Sequence, residues 1–483
     1  MKKSLVLISA ILVIVLSLGV FVACGPKDDT PDTPDTPEPL TFVKADGIRV
    51  LDPDGNPMGL MGTNLGGWLV QEQWLCPTET GQEIAQLDIY LTLYNRFGEE
   101  KAEELIDVFE DNWVTEQDFA SIKAIGLNCV RIPFSYMNFM NPLIYDENAG
   151  EWVVKDYKDL TWREDAFDRL DWALEMCEKY ELYAILDLHG AVGSQSGQDH
   201  TGDISEKVGR LWREDEIGEA CREKTKELWV GIAERYKNNV WVAAYDLMNE
   251  PGVATINGGN KSQVTNVQTW DYFDELIDAI REVDPNHMIS VESCWEAQNL
   301  PDPEDYGWEN VLYQFHHYNW ASANTLNSTF YNLKVFTMDF VTKREYPVII
   351  GEFNVWADTH ADKTKYNQSR DQTQAEAWAG VVELYCGKGW SFTTWNFKHA
   401  ASKYPEYSSW GLFAFDSDIA EYRQANFFTD SAEDIAAAWA SHNSANYCEN
   451  TDLTSCIKPY LDSFYTGEEL KPNNEKYYIL GNL

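Results

Sequence analysis

Eight short apolar runs constrain this chain more than any other feature. They are Gly59–Leu65, Asn128–Pro133, Leu182–His189, Val242–Asn249, Met288–Cys294, Val311–Tyr318, Val348–Glu352 and Ser391–Trp395. Near-continuous apolar runs of this length suit strands covered on both faces. The intervals between them carry helical patterns. In Glu164–Tyr180, the residues Phe167, Leu170, Leu174 and Cys177 recur at three- and four-residue steps and make one face. Trp270–Val283 and Thr373–Leu384 behave in the same way. The shortest interval, Trp295–Asn310, still has room for a right-handed crossover. Strand and helix alternating eight times predict a closed (β/α)8 barrel of the α/β class. A doubly wound open sheet is the alternative, but no Gly-rich phosphate loop follows the first run. Ahead of the barrel, Ile48–Met58 reads as a β-hairpin turning at Asp54-Gly55-Asn56-Pro57.

In such a barrel the reactive groups stand at the C-terminal ends of the strands. The runs end on, or carry near their ends, Asn64, Arg131, His189, Asn249-Glu250, His316-His317-Tyr318, Glu352 and Trp395. A single polar strand end is ordinary, whereas seven converging on one mouth form a site. Glu250 and Glu352 close the fourth and seventh runs, on opposite sides of the ring. A carboxyl pair across a cleft suits glycoside hydrolysis, with one group donating a proton and the other attacking or activating water. A divalent metal site is the alternative. Adjacent strand residues point to opposite faces, so His316 shares a face with Tyr318 and not with His317. No metal-spaced His pair is found elsewhere, and neither metal nor cofactor is expected.

Composition narrows the partners. The chain has 79 acidic and 37 basic residues, a net charge of −42, which repels phosphate backbones and argues against nucleic acid. Nineteen Trp and 25 Tyr are a heavy aromatic load; most read as core, and sites that stack on flat apolar faces such as sugar rings use the same residues. Of the nine cysteines, none forms a Cys-x-x-Cys pair; Cys129 and Cys177 read as small buried apolar residues. Cys448 and Cys456 flank a polar loop and could pair in an oxidising compartment.

The N-terminus is a targeting segment, outside the fold. Lys2 and Lys3 precede an apolar stretch, Leu5–Ala23, and Phe21-Val22-Ala23-Cys24 resembles a bacterial lipobox. A signal peptide over 1–23 would leave Cys24 as the lipidated first residue; a plain cleaved signal or a retained anchor is the alternative. Residues 24–41 form an acidic Thr/Pro-rich tether, whose Lys27–Pro39 stretch, KDDTPDTPDTPEP, has no large apolar residue to bury. Its Lys27-Asp28-Asp29 resembles the surface-export signal of Bacteroidetes lipoproteins, or is simply acidic linker. The expected location is the cell envelope, outer-membrane or surface-exposed, with membrane contact only through the lipid. Residues 42–483 are expected to form one catalytic domain, acting as a monomer.

Seven stretches then carry a resemblance over nearly all of residues 42–480. They are GTNLGGWLVQEQWL (62–75), GLNCVRIPFSY (126–136), LDLHGAVGSQSGQD (186–199), DLMNEP (246–251), FHHY (315–318), IIGEF (349–353) and GWSFTTW (389–395). In order and spacing the chain resembles glycoside hydrolase family 5, and within it the exo-β-1,3-glucanase group. The resemblance implies a (β/α)8 barrel and a retaining β-glycosidase acting on a β-glucan. It implies Glu250 as acid/base and Glu352 as nucleophile, with Asn249 on the sugar 2-hydroxyl and Arg131 beside Glu352, where a cation favours the ionised carboxylate. It also implies His189 and His316 as hydrogen-bonding partners, Tyr318 on the nucleophile and Trp395 as a platform under the ring. Glu72 and Asp199 match carboxylates that bind the non-reducing sugar. Two departures stand out. The fungal enzymes have Phe where Gln198 and Ala321 fall here, so the aromatic clamp on the leaving-side sugar is missing unless Trp320 or Trp356 replaces it. An open endo-acting cleft, a β-1,4- or β-1,6-glucan, transglycosylation, and a non-catalytic sugar-binding lipoprotein remain alternatives.

Overall fold

The eight apolar runs form eight parallel strands: β1 (Met61–Asn64), β2 (Cys129–Ser135), β3 (Tyr183–Gly190), β4 (Val242–Asp246), β5 (Met288–Glu292), β6 (Val311–Asn319), β7 (Val348–Val355) and β8 (Ser391–Thr394). Each pairs with the next, and β8 pairs with β1 through Phe392–Met61, Thr393–Gly62 and Thr394–Thr63, which closes the barrel. The open-sheet alternative is thereby excluded. The computed structural model describes residues 40–79, 84–204, 207–252, 255–257, 260–262, 264–293, 300–319, 346–355, 374–400 and 410–461. Cys24, the tether up to residue 39, Trp320, Ala321 and Trp356 lie outside the described residues.

Strand boundaries differ from the apolar runs by a few residues, and the differences have local causes. The fourth run leaves regular pairing after Asp246, although Leu247 and Asn249 still donate backbone bonds to Ser290 and Leu188. The sixth and seventh strands run on to Asn319 and Val355. Two extra residues break the ladder near the mouth. His189 is unmatched between the pairs Phe134–Leu188 and Ser135–Gly190. Gly351 is unmatched between Phe315–Ile350 and His316–Glu352. Such bulges re-aim side chains. At Gly351 even a Cβ would come within 2.5 Å of the Gln314 side chain, so glycine is the residue that fits there.

The helices lie outside. The expected helix at Glu164–Tyr180 spans Asp168–Tyr180, with Leu170, Ala173, Leu174 and Cys177 buried on its inner face. Each leucine buried there is worth about 1.5–3 kcal/mol. The other two occupy Asn266–Arg281 and Gln374–Lys388. The short fifth interval holds one turn of helix, Pro303–Tyr306. The N-terminal hairpin pairs Arg49–Leu51 with Pro57–Met58, and a third strand, Lys44–Asp46, joins it. Its Val50 and the adjoining Val43 and Leu60 join Cys129, Ile185, Met288, Leu312 and Ile349 in one cluster. The hairpin thus covers the end of the barrel opposite the strand C-termini.

A small sheet was not anticipated from sequence. Its strands, Lys398–His399, Phe413–Phe415 and Tyr447–Glu449, are too short to register as apolar runs. The helix Ala432–Ala440 packs nearby against Glu99–Trp113, with Trp439 edge-on to Phe109. Buried Lys398 ties this region down, its Nζ bonding Asp118 Oδ2 at 3.1 Å and Ser444 Oγ at 2.7 Å. Cys129 and Cys177 are fully buried. Cys448 is a free, exposed thiol that donates to Asp416 Oδ2; the side chain of Cys456 lies outside the described ones.

Candidate active site

Arg131 rises from the middle of β2 into the barrel mouth and is fully buried. Its guanidinium meets Asp187 Oδ1 at 3.1 Å, Asp246 Oδ2 at 2.8 Å and Glu352 Oε1 at 2.9 Å. Its remaining donors reach Asn64 Oδ1 at 3.1 Å and Asn249 Oδ1 at 2.9 Å. Burial alone would lower its pKa, but Asp187, Asp246 and Glu352 more than offset that, so it is a fixed positive charge. Four strands therefore converge on the cation that a fifth supplies.

Glu352 is held at both oxygens. Arg131 binds Oε1, and the Tyr318 hydroxyl donates to Oε2 at 2.6 Å. Glu250, at the end of the fourth run, is placed differently: its Oε1 lies 2.8 Å from His316 Nδ1. That same nitrogen is 3.4 Å from Glu352 Oε2. One imidazole nitrogen thus lies close to an oxygen of each carboxyl group, which puts Glu250 and Glu352 on the same mouth. His317 points the other way, to the Tyr385 hydroxyl, as strand alternation requires.

The other expected residues surround this centre. His189 bonds Asp187 through Nδ1 at 2.7 Å, and its ring stacks parallel to Trp395 at 5.5 Å. Burial lowers its pKa to about 4, so it is neutral near pH 7. Glu72 is buried in the loop after β1, where Trp74 Nε1 donates to its Oε2 at 2.8 Å. Burial, and then the charge of Asp199, push the Glu72 carboxyl well above the ordinary range. Asp199 opens a single 3-10 turn, Asp199–Thr201, in the loop after β3. Gln198, just before it, is exposed.

Several residues at the centre had no assigned role from sequence. Asp187 sits within β3 and Asp246 ends β4, two residues before His189 and three before Asn249. Their signal is visible afterwards: an acidic residue inside a run buried on both faces has to meet a cation. Glu292, ending β5, accepts the Glu250 amide at 3.0 Å, and its other oxygen is 3.4 Å from His316 Nε2. His200 Nε2 lies 3.7 Å from Glu250 Oε2. Gln195 donates to the carbonyls of His189 and Asn249, at 2.7 and 2.8 Å, and couples the ends of the third and fourth runs. Glu250, Glu292 and His316 each offer one ligand atom within 4.8 Å of the others, the one such group among the described residues.

Comparison with known proteins agrees with this geometry. The family description "Cellulase (glycosyl hydrolase family 5)" matches residues 96–401. The chain belongs to glycosyl hydrolase family 5. It is 29% identical over 281 residues to a β-xylosidase of Phanerodontia chrysosporium, covering 58% of this chain and 52% of that one. It is 28% identical over 313 residues to a probable glucan 1,3-beta-glucosidase A of Neosartorya fischeri, covering 63% of this chain and 66% of that one. The chain thus spans between half and two thirds of these relatives' lengths. Among solved structures, a broad-specificity endoglucanase of Clostridium longisporum superposes with a TM-score of 0.50 at 15% identity, over 84% of this chain and 96% of that one. That likeness is one of fold.

The buried carboxyls make stability pH-dependent. Burial raises Asp187 and Glu110 to about 7, and lifts Glu292 and Glu72 well above the usual range. Native protein then keeps protons that the unfolded chain has lost, so these groups weaken folding as pH rises from about 4 towards 7 and beyond. Burial lowers His189, His200, His399 and His442 to about 4, which acts in the opposite sense, but only below their ordinary value of 6.5. Above about pH 6.5 the histidines no longer contribute, and the buried carboxyls set the trend. The urea midpoint should therefore fall between about pH 6.5 and pH 8; a midpoint that holds or rises would contradict the buried-proton account.

Proposed function

We propose that this chain is a retaining β-glycosidase that hydrolyses a β-glucan, β-1,3-glucan favoured, by double displacement on two glutamates. The single observation that carries the reading is His316 Nδ1, which lies 2.8 Å from Glu250 and 3.4 Å from Glu352 and so brings the carboxylates together across the mouth. In this reading Glu352, facing the Arg131 cation, attacks the anomeric carbon. Glu250 gives its proton to the departing glycosidic oxygen, and a glycosyl ester forms on Glu352. Glu250, now a carboxylate, takes a proton from water as that water attacks the same carbon, and Glu352 is released. Asn249 is held through its Oδ1 by Arg131, which leaves its amide NH2 to donate to the sugar 2-hydroxyl. Trp395, backed by His189, is the platform under the ring, and Glu72 with Asp199 bind hydroxyls farther out. The β-1,3 preference draws on the relative from Neosartorya fischeri, and the relative from Phanerodontia chrysosporium brings β-xylosides into the test.

Glu352→Ala should lose turnover on every substrate. Glu250→Ala should lose about 10²–10⁴-fold on oligosaccharides but far less on dinitrophenyl glycosides, whose leaving group needs no proton. Azide should restore the latter variant by occupying the vacated space and attacking the glycosyl ester. Dialysis against EDTA should change nothing. A panel of β-1,3-, β-1,6-, mixed-linkage and β-1,4-glucans with an aryl β-xyloside tests the substrate. Highest kcat/KM on any class other than the β-1,3-glucan would remove that preference, and loss of activity in EDTA would replace the two-glutamate chemistry with a metal site.

Placement at the cell envelope belongs to the same proposal, since a polymer substrate lies outside the membrane and a lipid on Cys24 would hold the enzyme there. Cys24→Ala should move the protein from the membrane fraction to the soluble one. Retention in the membrane fraction would exclude the lipid as its anchor.

A further inference from the structure

Glu250 has a backbone φ of +40°. That left-handed region is uncommon for a side chain with a Cβ, and such strain persists only where neighbours hold it. The hold is visible. The Glu250 amide donates to Glu292 Oε2 at 3.0 Å. The Glu250 carboxyl meets His316 Nδ1 at 2.8 Å, and the opposite nitrogen of that ring faces Glu292 Oε1 at 3.4 Å. Glu292 therefore holds the Glu250 main chain directly, and its second oxygen packs beside the imidazole that meets the Glu250 carboxyl group, in contact but without a hydrogen bond between the two atoms.

We propose that Glu292 is the positioning residue for Glu250, fixing its left-handed backbone through the amide and its carboxyl group through His316. The inference rests on Glu250 being the acid/base. Glu292 is itself anchored: it ends β5 fully buried, and Gln314 Nε2 donates to its Oε2 at 3.1 Å. Burial, and then the Glu250 charge, keep it protonated well above the ordinary range. A neutral carboxyl accepts the Glu250 amide with one oxygen and lays the other against the His316 ring, whose Nδ1 meets Glu250. The neutral form also adds no second negative charge beside a group that has to become an anion during turnover. Besides Glu250, His316 and Gln314, Glu292 lies 4.0 Å from Arg131 Nη2, so its part in proton donation is read from the difference between a substrate that needs a proton and one that does not.

The experiment compares kcat/KM for wild type, Glu250→Ala, Glu292→Ala and Glu292→Gln on a laminari-oligosaccharide and on 2,4-dinitrophenyl β-glucoside. Glu292→Ala should lose about 10²-fold on the oligosaccharide and less than about tenfold on the aryl glycoside, the signature of impaired acid catalysis. Glu292→Gln keeps an acceptor for the amide and its bulk beside His316, and should recover to within about tenfold of wild type. Equal losses of Glu292→Ala on both substrates, or a glutamine variant as poor as the alanine one, would overturn the proposal. If the alanine variant does not fold, Glu292→Asp, which keeps the carboxyl but draws it back from the Glu250 amide, decides: a loss on the oligosaccharide well above that on the aryl glycoside supports positioning, and equal losses or none refute it. Absence of leaving-group selectivity in Glu250→Ala would instead refute the acid/base reading on which the inference rests.

Discussion

The site is organised around one buried cation. Arg131 is fully buried, and the desolvation cost of such a charge is offset only by well-placed carboxylates and further hydrogen bonds. Asp187, Asp246 and Glu352 supply the charge, while Asn64 and Asn249 complete the donors. These partners come from the first, third, fourth and seventh strands. The barrel must therefore close in its observed register for the cation to be satisfied. The same contacts orient Glu352 and Asn249, so packing and placement of reactive groups are one problem here.

The strands do more than deliver residues to a rim. A regular strand alternates faces, so the side chain after an inward one points away. The extra residues at His189 in β3 and Gly351 in β7 shift that alternation where the site begins. The Gly351 shift sets Glu352 beside His316 in the ladder, and it places the Gly351 carbonyl where Asn64 Nδ2 donates to it at 2.9 Å. At the fourth run the same end is met by leaving regular pairing altogether, with Glu250 held at positive φ by Glu292.

Much of this was legible because burial on both faces leaves a strong mark on sequence. The eight strands came from apolar runs, and the mouth came from the polar groups that end them. The residues sequence reasoning missed share one property: they support others. Asp187, Asp246 and Glu292 sit within apolar runs, where a carboxylate has meaning only once its cation or amide is placed, and those partners come from other strands. The bulges were hidden because Gly351 and His189 fit the local pattern; only pairing with neighbours shows the extra residue. The three short strands beginning at Lys398, Phe413 and Tyr447 left no periodic trace. Trp74 and Trp410, edge-on at 4.7 Å beside Glu72, were read only as part of a heavy aromatic content.

The central claim is that Glu352, fixed by Arg131 and Tyr318, attacks carbon directly while Glu250 shuttles one proton on the other side. Stereochemistry tests this most directly. Proton NMR of the anomeric region should be followed through the first minutes of hydrolysis of a laminari-oligosaccharide, before mutarotation mixes the anomers. The account predicts that the β-anomer of the newly formed reducing end appears first. Initial appearance of the α-anomer would mean that water attacks in a single displacement, and would contradict the role given to Glu352.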